Sequence, residues 1–416
     1  MKAVTLRASR SGVLERKRRH RSVDPGHTDP LALLVTIPRW NVYGPTNSER
    51  YRHYRSRAEW CNLFHGLEIR FAPALCMASS YPTPGAPVPA TRSTPASRSR
   101  ALTAYSPPAT GEIPRRAFGR TGEYVSALGL GGYHLGSIST EKECTRIIHE
   151  AIDAGITFMD NAWEYHDHKS EVRMGKALAD RRDRAFLMTK VCTHGRDAKV
   201  AMRQLEDSLR RLKTDYLDLW QVREVAFYND PERHFARRGV IEALDRAKRE
   251  GKVRFVGFTG HKDPAIHLAM LAYDYPFDGC QMPLNCFDAT FRSFEQQVLP
   301  ELLRRGIAPI GMKSMGGEGD MVKKKAVTPQ EALRYAMSLP VATTISGIDS
   351  LRVLRQNIAI ARGFTVMPER AMTSLRGRCA DLAADGRFEL YKTTAKHEGP
   401  IARKLHGFPP PDDAET

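Results

Sequence analysis

Three ionisable residues have a spacing suited to proton transfer. Asp160 and Tyr165 lie five residues apart in DNAWEY, and Lys190 follows in FLMTK. A free tyrosine holds its proton to about pH 10, which makes it a weak acid at neutral pH. A lysine ammonium beside the phenol would stabilise the phenolate and lower that pKa, while a carboxylate that pairs with the lysine would fix its position. The three residues therefore predict a site with Tyr165 as general acid.

The surrounding pattern predicts how these side chains could meet. GITFMD reads as a short buried strand that ends at Asp160, Tyr165 falls on the following loop, and Lys190 ends the next strand. Further strand candidates alternate with helical patterns, and they are GLGG, LDLWQV, VRFVGFT, GCQMPL, IAPIGM and TTISG. Eight strands linked by helices indicate parallel pairing, and the carboxyl ends of parallel strands in a closed barrel open on one mouth.

Eight helices are predicted for the crossovers. The first is ECTRIIHEAIDAG, and the others cover 170–179, 197–212, 238–250, 263–273, 291–304, 328–338 and 350–361. The rival layout, a doubly wound open sheet, should have a glycine-rich phosphate-binding turn that opens a helix directly after its first strand. GLGLGGYHLG contains enough glycines, but the residues that follow, SISTEKE, predict that the helix begins later.

Five segments resemble, in the same order, the aldo/keto reductase family, whose members reduce carbonyls with hydride from NADPH or NADH. They are GLGGYHLG (129–136), DNAWEYHDHKSEVRMGKAL (160–178), SLRRLKTDYLDL (208–219), GKVRFVGFTG (251–260) and ISGIDSLRVLRQN (345–357). The likeness covers residues 113–395. It implies an α/β fold, a (β/α)8 TIM barrel with an N-terminal β-hairpin plug in RRAFGRTGEYVSALGLGG, and it implies catalytic roles for Asp160, Tyr165 and Lys190.

One catalytic position departs from the family pattern. The resemblance places a histidine at the end of the fourth strand, where LDLWQVREV has Arg223. Arginine does not give up its proton, so it can only orient a substrate or stabilise developing negative charge. Altered carbonyl selectivity, reduction of a different bond such as an activated C=C, and loss of activity are the three open outcomes.

The resemblance also implies residues for a cofactor, NADPH with NADH as the other possibility. Thr259 and Gln281 would hold the nicotinamide. The glycines and the lysine of the loop GMKSMGGEG themselves suit a close approach to the pyrophosphate, through Lys313, Ser314 and Met315, and the alternative is that the glycines serve only a sharp loop. The turn before the last helix would hold the adenosine end, through Ser346, Gly347, Arg352 and Asn357. Many NADPH-using members have Lys-Ser where Gly347 and Ile348 stand here, so Arg352 is the expected replacement at the 2′-phosphate.

Several residues near the site have two interpretations. Tyr133 and Trp163 are expected to line the substrate mouth, with packing and an exposed loop as the respective alternatives. Gly260 takes the place of a family asparagine, and His261 either compensates for it or caps a turn. His166 and His168 flank Asp167, but no third ligand has a recognisable spacing, so we expect no metal.

The first 112 residues have a different composition. They include the charge run ERKRRHR and a stretch rich in Ser, Thr, Pro and Ala, and residues 1–110 supply +11 of the net charge of +17. Such a segment buries too little apolar area to offset its ordering entropy, so we expect a disordered basic extension. A tether to nucleic acid or lipid and a transit peptide are alternatives. No apolar run is long enough to span a membrane, and LALLVTI (31–37) is too short.

These inferences together predict an extension (1–112), a barrel (113–395) and a tail (396–416). We expect a cytoplasmic NAD(P)H-dependent oxidoreductase that reduces an aldehyde or ketone to an alcohol. Its partner would be a small-molecule carbonyl rather than nucleic acid or membrane. The alternative is a catalytically weak or inactive NADPH-binding sensor on the same barrel. The sequence leaves the substrate and the oligomeric state open.

Overall fold

The structure is a computed structural model that describes residues 111–192, 197–395, 397–405, 407 and 409. Residues 1–110 lie outside this range, so the predictions of disorder, tethering or targeting for the extension are not addressed. Of the predicted tail (396–416), the structure describes 397–405, 407 and 409. No helix in the described ranges is long and apolar enough to cross a membrane.

Eight parallel strands close into a barrel in the order β10-β3-β4-β5-β6-β7-β8-β9, which confirms the predicted (β/α)8 fold. The strands of the barrel are β3 (Leu128–Gly131), β4 (Phe158–Asp160), β5 (Phe186–Cys192), β6 (Leu217–Arg223), β7 (Val253–Thr259), β8 (Gly279–Pro283), β9 (Ala308–Met312) and β10 (Thr343–Gly347). The predicted N-terminal hairpin is also present, formed by antiparallel β1 (Arg115–Ala117) and β2 (Tyr124–Ser126).

Helices connect the barrel strands and continue after the last one. They are α1 (Gly132–Ser137), α2 (Glu141–Asp153), α3 (Lys169–Ala177), α4 (Ala198–Leu212), α5 (Asp230–Phe235), α6 (Val240–Arg249), α7 (Pro264–Leu271), α8 (Phe294–Gln297), α9 (Leu299–Arg305), α10 (Asp320–Lys323), α11 (Pro329–Ser338), α12 (Leu351–Arg362), α13 (Glu369–Ala383), α14 (Leu390–Thr393) and α15 (Pro400–Leu405). A 3-10 turn covers Arg182–Arg184.

The hairpin closes one end of the barrel with an aromatic plug. The side chain of Phe118, just after β1, is fully buried in an apolar cluster with barrel residues such as Leu219 and Ile310. Its ring centroid lies 4.9 Å from that of Phe186 and 6.3 Å from that of Phe158. These residues precede the carboxyl ends of their strands, so the opposite, carboxyl-terminal end is where polar side chains can gather.

The predicted elements differ from the observed ones in several places, and the helices α5, α10 and α13–α15 were not predicted. The expected helix over 291–304 is two helices, because Pro300 has no N–H to donate and therefore starts a new helix instead of continuing the first. A short helix, α1, begins directly after β3, where the sequence had predicted none; the longer crossover helix α2 begins at Glu141, with Thr140 as its cap. Lys190 does not end its strand, since β5 continues to Cys192.

Candidate active site

The structure brings Asp160, Tyr165 and Lys190 together at the carboxyl end of β4 and β5. The ammonium of Lys190 forms an ion pair with the carboxylate of Asp160, and both side chains are buried. The same Nζ donates to the carbonyl oxygen of Asn161 at 2.8 Å and to the hydroxyl of Tyr165 at 3.4 Å. Three acceptors thus match the three protons of the ammonium, which fixes its position relative to the phenol.

The predicted lowering of the phenol pKa does not appear in this structure. Burial, followed by the negative charges of Asp160 and Glu224, raises the pKa of Tyr165 well above its ordinary value. Burial also lowers the pKa of Lys190, against the opposing effect of Asp160. Because Asp160 compensates much of the lysine charge, the pair as a whole does little to favour a phenolate. Tyr165 is therefore a neutral hydroxyl at physiological pH, with a proton to donate.

Arg223 ends β6 beside the same phenol. Its Cζ lies 5.2 Å from the centroid of the Tyr165 ring, and the Nζ of Lys190 lies 5.1 Å from that centroid. The guanidinium forms an ion pair with Glu164, and both side chains keep about a fifth of their surface exposed. Glu164 also accepts from the thiol of Cys192 at 2.5 Å. The fork of Arg223 is thus held by the loop that carries Tyr165.

Buried Glu224 contacts His261 next to Arg223. The Nε2 of His261 lies 2.6 Å from the carboxylate of Glu224, and its Nδ1 lies 3.3 Å from the carbonyl oxygen of Tyr391. Burial opposes the charge of Glu224, but His261 and Arg223 hold the pKa of this carboxyl well below its usual range. Both ring nitrogens of His261 thus have neighbours within the protein, and its compensation for the missing asparagine amide stays a prediction.

Two glutamines lie inside the barrel near the Lys190–Asp160 pair. Gln281 on β8 donates from Nε2 to Asp160 at 3.4 Å, and its Oε1 has no hydrogen-bond partner among the described residues. Gln221 on β6 pairs in register with Lys190, is fully buried, and has no partner in the described ranges for either amide atom. Thr259 ends β7 in register with Gln281 and is also buried.

The loop after β9 brings a lysine to the mouth. Burial lowers the pKa of Lys313 to about 8, against the opposing charge of Glu224. The Nζ of Lys313 lies 4.7 Å from the centroid of the Tyr391 ring. The backbone carbonyl oxygen of Lys313 accepts a hydrogen bond from the side-chain amide of Asn285 at 3.2 Å. Ser314 is buried and Met315 is half-buried in the same loop.

The turn between β10 and α12 shows how its predicted residues are arranged. The amide of Asn357 donates to the hydroxyl of Ser346 at 2.9 Å, and both are buried. Gly347 is exposed, and the ring of His134 packs directly against it. Arg352 is exposed, with no hydrogen bond or ion pair to any described residue. Ser346, Gly347 and Asn357 are therefore neighbours, while Arg352 stands free on the first turn of α12.

The two predicted substrate residues have different surroundings. The ring of Tyr133 is 54% exposed and meets Tyr165 edge-on, with 5.3 Å between the centroids. Trp163 packs instead on His168, at 4.4 Å between centroids, and on Arg211 of α4, whose Cζ lies 5.6 Å from its ring. The structure thus brings Tyr133 to the phenol and turns Trp163 toward the outer helices.

No group of three or more His, Cys, Asp or Glu side chains in the described ranges could hold a metal ion. The ring of His168 is bonded through Nδ1 to the carbonyl of Trp163, and His166 packs against α1 at Gly136. The absence of a metal from the working protein stays a prediction.

Sequence reasoning missed four residues of this site: Glu164, Glu224, Gln221 and His134. The two acids were detectable as neighbours of singled-out residues, because Glu164 precedes Tyr165 and Glu224 follows Arg223. Inward alternation along LDLWQVR indicates that Gln221 shares a face with Arg223, which would have marked it. Nothing in the sequence places His134 against Gly347, since that contact joins the first and last barrel strands.

Part of this chain is similar to a known family. Residues 127–331 match the model of the aldo/keto reductase family. L-galactose dehydrogenase of Arabidopsis thaliana is 32% identical over 161 residues, which is 36% of this chain and 49% of that protein. Among the first curated relatives that match, the chain spans between 49% and 69% of their length.

Solved structures share the fold. An aldo-keto reductase from Bacillus halodurans in its holo form is 24% identical, with a TM-score of 0.55, and the match covers 64% of this chain and 96% of that one. An aldo-keto reductase from Klebsiella pneumoniae in complex with NADPH is 21% identical, with a TM-score of 0.53 and coverage of 67% and 97%. The sequence match across most of the barrel and the shared fold thus make residues 127–331 similar to the aldo/keto reductase family.

Proposed function

We propose that the protein is an NAD(P)H-dependent oxidoreductase that reduces an aldehyde or ketone to the alcohol. The observation that carries the proposal is the ammonium of Lys190, which contacts the carboxylate of Asp160 and the hydroxyl of Tyr165 at the mouth of the barrel. A phenol that accepts a hydrogen bond from an ammonium keeps its own proton available for donation to a carbonyl oxygen. The match of residues 127–331 to the aldo/keto reductase family model supports the same reaction class.

Each residue of the cluster has a distinct role in this reaction. The proton of Tyr165 moves to the carbonyl oxygen as hydride reaches the carbonyl carbon, and water reprotonates the phenolate. Asp160 positions Lys190, and the ammonium of Lys190 holds the hydroxyl of Tyr165 in place. Arg223, whose charge is permanent, stabilises the negative charge that develops on the carbonyl oxygen. The balance is one hydride and one proton added across C=O.

The residues at the mouth fit a nicotinamide dinucleotide. When bound, this cofactor supplies the hydride. The Oε1 of Gln281 is buried without a partner among the described residues, and an amide of that kind suits the polar edge of a nicotinamide. Thr259 would share that contact. Lys313, Ser314 and Met315 would hold the pyrophosphate, and Ser346, Gly347, Arg352 and Asn357 the adenosine end. The Klebsiella pneumoniae protein with this fold was crystallised with NADPH, which supports NADPH, with NADH also possible.

Substrate and location extend the proposal. A small-molecule carbonyl fits a mouth whose accessible aromatic ring, Tyr133, stands beside Tyr165. Trp163 remains a proposed substrate contact only if its loop turns inward. We propose a cytoplasmic enzyme with neither a membrane nor a nucleic-acid partner.

The test combines transient kinetics with one variant. Stopped-flow oxidation of bound NADPH with a panel of aldehydes should show turnover, and Tyr165→Phe should reduce the rate of the chemical step by about 10²–10⁴-fold, the usual contribution of a general acid. Cofactor affinity should stay nearly constant, because only the hydroxyl is removed. Equal turnover in Tyr165→Phe and wild type would rule the mechanism out. Tyr124→Phe, on the exposed hairpin strand β2, is the matched control and should change neither quantity.

A further inference from the structure

The imidazole of His134 occupies the space that a side chain at position 347 would need. A Cβ built on Gly347 would overlap the Cε1 and Nδ1 of His134 and lie 3.1 Å from its Nε2. Gly347 ends β10 and pairs with Gly131, the last residue of β3, and His134 follows three residues later on α1. The φ angle of Gly347 is not positive. Glycine is therefore required here by the ring of His134 and not by the backbone.

The ring is placed where it can respond to an anion. Its Nδ1 is buried without a hydrogen-bond partner among the described residues. Burial lowers the pKa of His134, and the carboxylates of Asp349 and Glu318 act against that effect, while His166 and Lys313 reinforce it. A ring with these neighbours is neutral in the absence of ligand, and a nearby anion would favour its protonated form.

Other groups at this turn also suit an anion. The twelve-residue helix α12 begins here, so its free N–H groups and the positive end of its dipole face the turn. Arg352 lies in its first turn, exposed and without a partner in the described ranges, whereas Arg355 is paired with Glu150 at 2.6 Å. The turn itself also contains a negative charge, the carboxylate of Asp349, which would oppose the binding of an anion. Arg352 and a second cation, protonated His134, would together outweigh it.

We propose that His134 decides between the two nicotinamide cofactors by contacting the 2′-phosphate that only NADPH carries, and that it does so when protonated. The inference rests on the proposed function as far as a dinucleotide must occupy this mouth. The preference for NADPH should then increase as the pH falls. The 2′-phosphate dianion stabilises the imidazolium and therefore raises the pKa of His134 in the complex. Binding of NADPH then takes up a proton, so its affinity decreases as the pH rises. NADH lacks the group and should not follow this trend.

The experiment measures affinity without turnover. Dissociation constants of adenosine 2′,5′-bisphosphate and AMP, and of NADP⁺ and NAD⁺, would be determined by isothermal titration calorimetry between pH 6 and pH 8.5. In the wild type we expect the affinity ratio within each pair to rise by about tenfold toward pH 6, the effect of one hydrogen bond to a charged group. In His134→Gln the ratio should stay low, and in His134→Lys it should stay high over the whole range.

The phosphate itself titrates with a pKa near 6, and the comparison between variants removes that contribution. It acts equally on every variant, so the difference between wild type and His134→Gln isolates the ring. A matched control is His149→Gln, because His149 lies on α2 with its ring bonded to the carbonyl oxygen of Ala177 at 2.8 Å. This control should show the wild-type pH dependence.

A double variant tests the geometry. Gly347→Lys alone should collide with the ring of His134, whereas Gly347→Lys with His134→Ala places a permanent cation in the same space. The double variant should regain the preference for the 2′-phosphate and lose its pH dependence. Identical ratios in wild type and His134→Gln at every pH would overturn the inference and leave the proposed function intact. Failure of all four ligands to bind the wild type would instead remove the proposed function, and the inference with it.

Discussion

The two ends of the barrel are built from the same strands and have opposite interiors. At the hairpin end, β4 and β5 contribute Phe158 and Phe186, which pack on Phe118 in a fully apolar cluster. At the open end, the same strands contribute Asp160 and Lys190, which form a buried ion pair. The inward side chains change from aromatic to charged over two residues on β4, from Phe158 to Asp160, and over four residues on β5, from Phe186 to Lys190. Alternation along each strand keeps the inward face constant, so only the residue type changes.

The two ends of the barrel therefore have different roles within one core. Burying apolar rings stabilises the fold, whereas burying charges and unpaired amides costs free energy unless each group finds a partner. The open end contains two ion pairs, the contact between Glu224 and His261, and two incompletely bonded glutamines. We infer that the closed end supplies the stability that lets the open end keep polar groups in place for chemistry.

The largest effect is expected at the open end, from Lys190→Met. The change leaves Asp160 buried without its counter-charge, so the free energy of unfolding should fall by about 3–5 kcal/mol. Carbonyl reduction should also fall by orders of magnitude, because the phenol loses the group that positions it. Denaturant unfolding and NADPH oxidation measure the two effects. The double variant Asp160→Asn with Lys190→Met should recover stability but not turnover; recovery of turnover as well would show that the pair is structural.

The corresponding change at the closed end is Phe118→Ala. Loss of a buried ring at the centre of the plug should reduce the free energy of unfolding by about 3–5 kcal/mol. Cofactor affinity and turnover of the folded protein should not change, since the plug lies at the opposite end from Tyr165. Thermal unfolding and cofactor titration below the transition check this. A weakened cofactor affinity with intact secondary structure would contradict the independence of the two ends.

Arg223→Met should lower turnover by about 10²–10³-fold with little effect on cofactor affinity, as removal of an oxyanion-stabilising donor does. Glu164→Gln should be combined with it, so that no unpaired carboxylate is left beside the phenol. Arg223→His should give an intermediate rate, because a histidine can still donate to the carbonyl oxygen. Steady-state kinetics with one aldehyde would compare the series. A faster Arg223→His enzyme would mean that arginine weakens a histidine-dependent site.

The smallest effect is expected from Gln221→Leu, and it should be a gain. Removing an amide that has no partner in the described structure should raise the free energy of unfolding by about 1–3 kcal/mol. The matched change two residues earlier on the same inward face, Leu219→Gln, should lower stability, because it introduces a polar group among the rings of the plug. Urea unfolding of both variants measures these changes in the free energy of unfolding. A loss of stability in Gln221→Leu would show that the amide is bonded in the working protein.

Much of the fold could be read from the sequence, because it depends on local patterns. The alternation of apolar strands with amphipathic helices gave the eight-stranded barrel, and the residues after each strand marked the mouth. The errors arose where a local signal was weak or was overridden. Glycine-rich GGYHLG forms the short helix α1 although glycine disfavours helices. Gly132 and Gly136 are needed there because they lie against Asp160, Asn161 and His166, where a larger side chain would collide.

The amino-acid sequence was enough to identify the residues of the proposed chemistry. The order and strand positions of Asp160, Tyr165 and Lys190 bring them to one mouth, and Arg223 stands where the resemblance places a histidine. The tertiary structure decided how their charges are shared. Burial raised the pKa of Tyr165 where a neighbouring ammonium alone predicted the reverse, Glu164 occupied the fork of Arg223, and His134 filled the space beside Gly347. These outcomes depend on distances between residues far apart in the chain, and a pKa responds to the summed burial and charge around a group, which no local spacing specifies.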